Sequence, residues 1–249
     1  MDKKLEIKDV YDGYAGKISQ DSERIKNIHI DISPVMRYYR NRKVDTAVRL
    51  GKFSEKARIL EVGSNTGQYT TLFAERGFSI VGIDISDKAV EVAKKNAQLL
   101  NLKTVDYFSA DAEDLHLFKD NAFDGAVSFS TLRYVPDLKK ALKEIFRVIR
   151  KNGVAVLDFP NKYCPWFTLL KNKFGVENHI YDNFYSESEL KALFKEAGFQ
   201  NIETRKILFT HYRFSSKFLN LYKAIDIIGE NTFLIKECAA IILCKGVKA

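Results

Sequence analysis

Residues 58–84 constrain the fold of this chain more than any other segment. A short apolar run, residues 58–62, leads directly into a glycine-containing turn, and helix-forming sequence follows at once. A second apolar run, residues 78–83, ends in the acid Asp84. A strand, a tight turn, a helix and a second strand in this order are typical of an open α/β sheet with parallel strands. The sequence therefore predicts a doubly wound, Rossmann-like sheet.

The acid after the second strand and the glycines after the first indicate what binds at this edge of the sheet. In α/β sheets such an acid holds the ribose of an adenosine cofactor. A dinucleotide turn reads Gly-x-Gly-x-x-Gly, because the backbone must come close to a pyrophosphate. Here Gly63 and Gly67 enclose Asn65, and Gln68 stands where the third glycine would fall. This spacing argues against a nicotinamide-dependent oxidoreductase.

The same turn resembles motif I of the class I S-adenosylmethionine-dependent methyltransferases, which reads roughly acid-x-Gly-x-Gly-x-Gly. Glu61, Gly63 and Gly67 match this motif, and Asn65 replaces the middle glycine. Asn is one of the few residues besides glycine that tolerate a left-handed backbone, so the departure is mild. The resemblance implies S-adenosylmethionine as the cofactor, bound by the turn residues Glu61, Gly63, Ser64, Asn65, Gly67 and Tyr69.

Later segments resemble the same family in the same order. Asp84 matches the acid that holds the ribose, with Ile85 beside it, since a carboxylate can accept from both hydroxyls of a diol. Asp111, followed by Ala112, matches the acid that accepts from the adenine amino group. Ser128 lies in a segment similar to motif IV, whose strand ends beside the reactive methyl.

The resemblance covers about residues 33–209 and the last predicted strand, and it is to the ubiquinone/menaquinone-type (methyltransferase type 11) small-molecule enzymes. It implies a seven-stranded sheet whose last strand is antiparallel. Residues 1–32 are expected to form a leader or lid, and residues 33–249 the methyltransferase domain. Aromatic-rich insertions at about 160–185 and 210–232 are expected to form a cap.

Hydrophobic periodicity and end signals predict the remaining elements. Helices are expected at 34–50, at 67–76, after the cap Ser86, from 138 until Asn152-Gly153, and at 187–197 after a Ser186–Glu189 capping box. Strands are expected at 104–109, 123–129, 154–159, 202–209 and 238–244.

Methyl transfer from a sulfonium is a direct displacement, so it needs alignment of the reacting atoms more than acid catalysis. A base matters only where the acceptor must lose a proton. Tyr134, Asp158, His179 and His211 are the candidates for a base or an orienting group. Many relatives carry a histidine pair where Arg133 and Tyr134 stand, which puts a histidine base in doubt. Arg133 is open to two interpretations, an anion-binding residue or a surface residue.

Two further contacts to the cofactor are implied by the resemblance. Relatives often carry an arginine on the helix before motif I, so Arg42, with Arg37 behind it, is expected to bind the carboxylate of the cofactor. Tyr11 and Tyr14 of the leader are expected to close over the cofactor.

The formal net charge of +8 is concentrated in residues 24–58 and 139–173. Such charge attracts anionic partners. The basic residues fall at mixed helical phases, however, so a solvated surface is the simpler interpretation. The expected acceptor is a small molecule or a lipid-linked molecule. An RNA methyltransferase and a catalytically silent S-adenosylmethionine-binding protein are the alternatives, and nucleic acid is not the favoured partner.

Cysteine and histidine usage indicates the compartment. The three cysteines are odd in number and show no metal-ligand spacing, and the four histidines are scattered. This pattern predicts reduced thiols in a cytoplasmic protein without a metal site. No apolar run approaches the roughly 20 residues that a membrane-spanning helix needs. Nothing in the sequence indicates an oligomeric state.

Overall fold

The computed structural model describes residues 3–19, 32–168, 182–210 and 214–249, and a single sheet organises them. In chain order its strands are β1 (Arg58–Val62), β2 (Ser79–Asp84), β3 (Val105–Ser109), β4 (Phe123–Ser128), β5 (Ile149–Pro160), β6 (Gln200–Ile207) and β7 (Ile241–Val247). The order across the sheet is β3-β2-β1-β4-β5-β7-β6. The pairs from β3 to β5 are parallel, whereas β7 is antiparallel to both of its neighbours. The predicted fold class is confirmed.

Helices flank this sheet, and two of them begin at the predicted caps Ser86 and Ser186. They are α1 (Lys3–Ser19), α2 (Pro34–Gly51), α3 (Gln68–Ala74), α4 (Asp87–Leu99), α5 (Leu138–Val148), α6 (Pro165–Thr168), α7 (Glu187–Glu196) and α8 (Leu219–Asn231). The Ser86 side chain accepts the Ala89 N–H at the start of α4. Ser186 and Glu189 form the reciprocal capping box of α7, as predicted. Each cap satisfies backbone donors that have no partner within the helix.

Both faces of the central strands β1, β2 and β4 are buried, which explains why these parallel strands are almost continuously apolar, whereas the edge strands β3 and β6 are largely exposed. On one face, Leu142 of α5 and Phe194 of α7 join the cluster around β4 and β5. On the other face, Val44 of α2 and Phe73 of α3 join a second cluster. All four side chains are fully buried. The carboxyl ends of β1, β2, β3 and β4 therefore meet at one edge between the two helical layers.

The prediction that a helix continues until Asn152-Gly153 is wrong. α5 ends at Val148, and β5 begins at Ile149, which pairs with Phe123 of β4. Asn152 has a positive φ of 61°, and its N–H donates to Lys248 O at 2.6 Å. A Cβ on Gly153 would lie 2.7 Å from Arg150 O, so only glycine fits there. The Asn-Gly pair thus marks an irregularity inside a strand. The same residue types are also common at helix ends.

Two predicted segments have more structure than expected. The leader contains α1, a 17-residue helix that packs along α4 and buries Ile7 and Ala15. The second insertion contains α8, and a 3₁₀ turn at Ile235–Cys238 delays the last strand to Ile241. The division of the chain at residue 32 stays a prediction.

Candidate active site

A cavity of about 370 Å³ opens at the carboxyl edge of the sheet. Its lining comes from α1 and from the segments that follow β1, β2, β3 and β4: Lys4, Ile7, Tyr11, Val62, Gly63, Ser64, Asn65, Gln68, Tyr69, Ile83, Asp84, Ile85, Ala110, Asp111, Ala112, Phe129, Ser130, Thr131, Tyr134, Val135 and Pro136. The volume is in the range of small-molecule sites, and the edge is where open α/β sheets bind ligands.

The turn after β1 is tight because several of its residues adopt the left-handed backbone. Gly63, Asn65 and Gly67 have φ of 79°, 47° and 87°. A Cβ on Gly63 would lie 2.0 Å from the Thr131 side chain, so the turn lies directly against the segment after β4. The N–H groups of Gly63 and Ser64 both donate to Ile83 O at 2.8 Å. The turn is thereby fixed across the end of β2, and Asn65 serves where the motif has a glycine.

Asp84 is a buried carboxylate at the wall of this cavity. Its Oδ2 accepts from Asn65 N at 2.8 Å, and its Oδ1 accepts from Ser86 N at 3.0 Å. Burial raises the pKa of Asp84 above its usual range, although these N–H donors oppose the shift. A desolvated carboxylate gains from further donors, and the two hydroxyls of a ribose are donors of the right kind. The environment of Asp84 therefore fits the adenosine cofactor that the sequence resemblance implies.

The far end of the cavity is closed by α1. Lys4 Nζ lies 2.6 Å from Asp111 Oδ2 and 2.6 Å from Glu113 Oε2. Asp111 Oδ1 also accepts from Glu113 N at 2.9 Å. The acid expected to bind adenine is thus held in place by its own loop and by a cation from the lid helix.

Aromatic contacts extend this closure along α1. The ring of Tyr11 lies 6.0 Å from that of Tyr134, and their hydroxyl groups are hydrogen-bonded. Burial is the main reason that the pKa of Tyr11 is raised. Tyr14 contacts the ring of Tyr11 at 6.3 Å, but it is half exposed and does not line the cavity. Of the two leader tyrosines, Tyr11 is the one that lies over the cavity.

A buried ion pair lies beneath the opposite wall. Lys43 Nζ is 2.7 Å from Asp158 Oδ2 and donates to Ser130 Oγ at 2.8 Å. Asp158 Oδ1 accepts from Ser130 N at 2.5 Å. Burial alone would lower the pKa of Lys43, but the Asp158 carboxylate, together with Tyr39 and Tyr69, outweighs burial and the net pKa is raised. The pair holds Ser130, which has a positive φ of 57°, at the cavity wall.

Arg133 was open to two interpretations, a residue that binds a ligand anion or a surface residue, and its place in the structure differs from both. It is buried and forms an ion pair with Asp182. Its guanidinium lies 5.2 Å from the ring centre of Phe184 and 5.4 Å from that of Phe167. The chain supplies the anion for Arg133 itself, so this arginine joins the turn after β4 to the segment at 182–184.

The structure brings most of the predicted site residues together. Those that line the cavity are Gly63, Ser64, Asn65, Tyr69, Asp84, Ile85, Asp111, Ala112 and Tyr134. Gly67 lies just behind the wall, where a Cβ would meet the Tyr107 hydroxyl at 2.4 Å. Ser128 is also behind it, with its Oγ donating to Val62 O at 2.7 Å. His179 and His211 lie outside the described residues.

Three predicted residues occupy places away from the cavity. Arg42 forms an ion pair with Glu230, so the chain already supplies a carboxylate to its guanidinium. Glu61 is fully buried beneath the turn, where it accepts from the Thr70 hydroxyl, and burial raises its pKa to about 8. Asp158 is held by Lys43 and Ser130 and does not line the cavity.

Sequence reasoning missed Lys4, Ser130 and the burial of Lys43. Lys4 and Lys43 each stand among other charged residues, and nothing in such a run distinguishes a cation that turns inward. The expectation of a solvated basic surface is therefore wrong for Lys43, which is 0% exposed, and for Arg40, which is 9% exposed. Ser130 could have been found, because it directly follows the strand of the motif IV segment.

Within the described ranges, no three His, Cys, Asp or Glu side chains are grouped as metal ligands. In the same part of the chain, no helix is both long enough and apolar enough to cross a bilayer.

Comparison with known proteins gives three results. A family model described as a methyltransferase domain matches residues 36–204. Demethylmenaquinone methyltransferase of Staphylococcus aureus is 31% identical over 212 residues, which cover 76% of this chain and 84% of that protein. The chloroplastic 2-methyl-6-phytyl-1,4-hydroquinone methyltransferase 2 of Oryza sativa subsp. japonica is 31% identical over 155 residues, covering 62% of this chain and 42% of the rice protein.

The fold has a counterpart among solved structures. A SAM-dependent methyltransferase of Thermotoga maritima has a TM-score of 0.63 to this chain at 20% identity. The match covers 86% of this chain and 91% of that one. At this level of identity the likeness concerns the fold.

Proposed function

The chain belongs to the S-adenosylmethionine-dependent methyltransferases, and from that premise we propose that its acceptor is a quinone-class ring in the hydroquinone form. The two curated relatives are named for a demethylmenaquinone and for a phytyl-substituted hydroquinone. Tyr69 and Phe129 both line the cavity, with ring centres 4.6 Å apart, and this aromatic lining supports a ring-shaped acceptor. Aromatic walls favour flat apolar ligands.

The observation that carries the proposed cofactor site is Asp84, a buried carboxylate facing the cavity. In this proposal Asp84 accepts from the ribose hydroxyls, and Asp111 accepts from the adenine amino group. Gly63 and Asn65 hold the turn close to the remainder of the cofactor. The bound cofactor supplies an electrophilic methyl on a sulfonium, and its transfer leaves a neutral thioether.

The residues of the chain then supply position and protection from water. Ser130 Oγ accepts from the Lys43 ammonium, so the Ser130 hydroxyl proton is free to be donated towards the cavity. Ser130 and Tyr134 orient a hydroxyl of the acceptor, and Asp158 acts as a positioning residue through Ser130. Tyr11 covers the reacting groups. The methyl group bonds to the acceptor as its bond to sulfur breaks, and the proton that the hydroquinone loses passes to water. Alignment of this kind contributes more than proton transfer, since the sulfur leaves as a neutral group.

A turnover assay with matched acceptors tests the proposal. We expect release of S-adenosylhomocysteine when the protein is mixed with S-adenosylmethionine and a hydroquinone that carries a short isoprenoid chain. The oxidised quinone with the same chain is the control and should give little product, because its ring is electron-poor. An RNA transcript provides the second control. Binding of S-adenosylmethionine without turnover on any hydroquinone would favour a catalytically silent binding protein. Methylation of the RNA transcript would favour an RNA methyltransferase.

We also propose a cytoplasmic location. Cys164 and Cys244 are buried, Cys238 is exposed, and none of the three forms a disulfide bond. Free thiols support a reducing compartment. Alkylation before cell lysis, followed by mass spectrometry, should find all three thiols unpaired, and a disulfide would contradict the proposal.

A further inference from the structure

We propose that the chain docks on an anionic lipid bilayer through an apolar face formed by α8 and the turn that follows it. This apolar face consists of Phe218, Leu221, Ile225, Ile227, Ile228, Phe233, Leu234 and Ile235, whose side chains are 40–76% exposed. Single exposed apolar residues are ordinary, but a contiguous group of this size marks an interaction surface.

The polarity of α8 is the reverse of that of an ordinary surface helix, which buries its apolar stripe. The buried residues of α8 are Asp226 and Gly229. Asp226 Oδ1 accepts from Phe209 N at 2.7 Å, and Glu230 forms the ion pair with Arg42. The helix is therefore fastened to the protein by its polar side. The apolar side is left to contact something outside the described chain.

Charge around the apolar face selects an anionic surface as the partner. Lys217, Lys223 and Lys236 lie in the same segment, and Lys236 Nζ is 5.1 Å from the ring centre of Phe233. The acids of residues 214–238 are engaged by the protein, because Glu237 pairs with Lys206 at 2.5 Å and Asp226 and Glu230 point inward. An apolar centre with basic residues around it is how proteins bind the surface of an anionic bilayer.

The place of the apolar face in the fold agrees with this partner. At the end of β5, Pro160 pairs with Ile241 of β7, and Ile207 at the end of β6 pairs with the same residue. The segment between β6 and β7 therefore leaves and re-enters the sheet at its carboxyl edge, the edge at which the cavity opens. A bilayer on the apolar face would lie along that edge.

A second copy of the chain is a less suitable partner for the apolar face. Two copies packed through identical faces would bring the lysines of each together, and like charges at an interface oppose association. Anionic lipid instead meets the same lysines with opposite charge.

Vesicle sedimentation with the full chain tests the proposal. The probes are vesicles of phosphatidylglycerol mixed with phosphatidylcholine and vesicles of phosphatidylcholine alone. We expect binding to the anionic vesicles and at least tenfold weaker binding to the neutral ones. The double variant Phe233→Glu/Leu234→Glu should lose binding to both. The triple variant Lys217→Gln/Lys223→Gln/Lys236→Gln should bind anionic vesicles on the order of a hundredfold more weakly.

Matched variants and a second readout separate docking from unfolding. Leu99→Glu/Leu117→Glu places the same charges on two other exposed leucines, and it should bind vesicles as the wild type does. All variants should keep the same affinity for S-adenosylmethionine by calorimetry. An environment-sensitive fluorophore on the exposed Cys238 should shift its emission to shorter wavelength with anionic vesicles, whereas Cys164 and Cys244 are buried and stay unlabelled.

Three results would overturn the proposal: wild-type protein that stays in solution with anionic vesicles, equal loss of binding in the Leu99/Leu117 variant, or a dimer that is broken by Phe233→Glu/Leu234→Glu and ignores lipid. The binding is measured without acceptor or cofactor. Its failure would leave methyl transfer untouched, and failure of methyl transfer would leave the docking result standing.

Discussion

α1 and α8 both lie outside the sheet, but they bury opposite kinds of side chain. α1 turns Ile7 and Ala15 inward and directs its charges to partners on neighbouring segments, such as Lys4 to Asp111. α8 turns Asp226 inward and leaves its isoleucines outside. α1 leaves Leu5 and Tyr14 exposed, but it buries Ile7 and Ala15 and pairs Lys4 within the chain, as suits a helix that closes a cavity. The contacts of α8 are incomplete, as suits a helix that binds something else.

The largest expected effect is on cofactor binding in the cavity beneath α1. Asp84→Ala should weaken S-adenosylmethionine binding by at least about a hundredfold, since it removes two hydrogen bonds to a charged group worth roughly 1.5–3 kcal/mol each. Isothermal calorimetry measures this. Asp106→Asn, an exposed acid on β3, is the control and should bind normally. Unchanged affinity in Asp84→Ala would mean that α1 covers a cavity with another purpose.

Two ion pairs allow the same comparison in terms of stability. Asp158→Asn leaves Lys43 charged and fully buried without its partner, and we expect a loss of roughly 3–5 kcal/mol in the free energy of unfolding. Glu230→Gln breaks the pair that joins Glu230 of α8 to Arg42. Because Arg42 keeps some contact with water, we expect a loss of about 1 kcal/mol in the free energy of unfolding. Urea denaturation measures both. Equal losses in the two variants would show that the Lys43–Asp158 pair is no more dependent on burial than the Arg42–Glu230 pair.

The pH dependence of stability should trace to the acid beneath the β1 turn. Burial raises the pKa of Glu61 from 4.5 to about 8, so between these values the folded state keeps a proton that the unfolded state has lost. The stability contributed by this group is complete below pH 4.5 and declines as pH rises to 8, by a few kcal/mol at roughly 1.4 kcal/mol per pKa unit. Glu61→Gln should remove this slope from melting curves measured across that window.

The exposed Glu55→Gln is the matched control for this experiment, and its slope should follow that of the wild type. A slope that persists in Glu61→Gln would assign the pH response to another acid. Asp84 and Asp226, which lies on the buried side of α8, are then the candidates, because burial raises the pKa of both.

The smallest expected effect concerns Tyr11 and Tyr14, the two tyrosines of α1 that were expected to cover the cofactor. Tyr11→Ala removes the ring that lies over the cavity and its hydrogen bond to Tyr134, and we expect about a tenfold weaker affinity for S-adenosylmethionine, equivalent to roughly 1.4 kcal/mol. Tyr14→Ala removes a half-exposed ring and should change affinity less than twofold. Similar losses in both variants would show that α1 acts through its helical fold and not through the ring over the cavity.

What the sequence predicted correctly are features set by neighbours along the chain. The turn at Gly63–Gly67 and the acid at Asp84 follow from residue types within one strand–turn–helix–strand unit. The capping box at Ser186 and Glu189 spans three residues. Short spacings are read directly from sequence because the backbone geometry that joins them is nearly fixed. The error at Asn152-Gly153 arose because the same residue types end helices and interrupt strands.

The sequence by itself determined the family, the order of the seven strands and the turn proposed to hold the cofactor. The tertiary structure decided which charges are buried and which apolar residues are not. Arg42 and Glu230 are 188 residues apart in the chain, and Lys43 meets Ser130 across 87. No local pattern distinguishes such residues from solvated ones, because their environment is made by segments that approach only when the sheet is complete. The same reason explains α8, whose outward isoleucines were visible in the sequence while the inward direction of Asp226 was not.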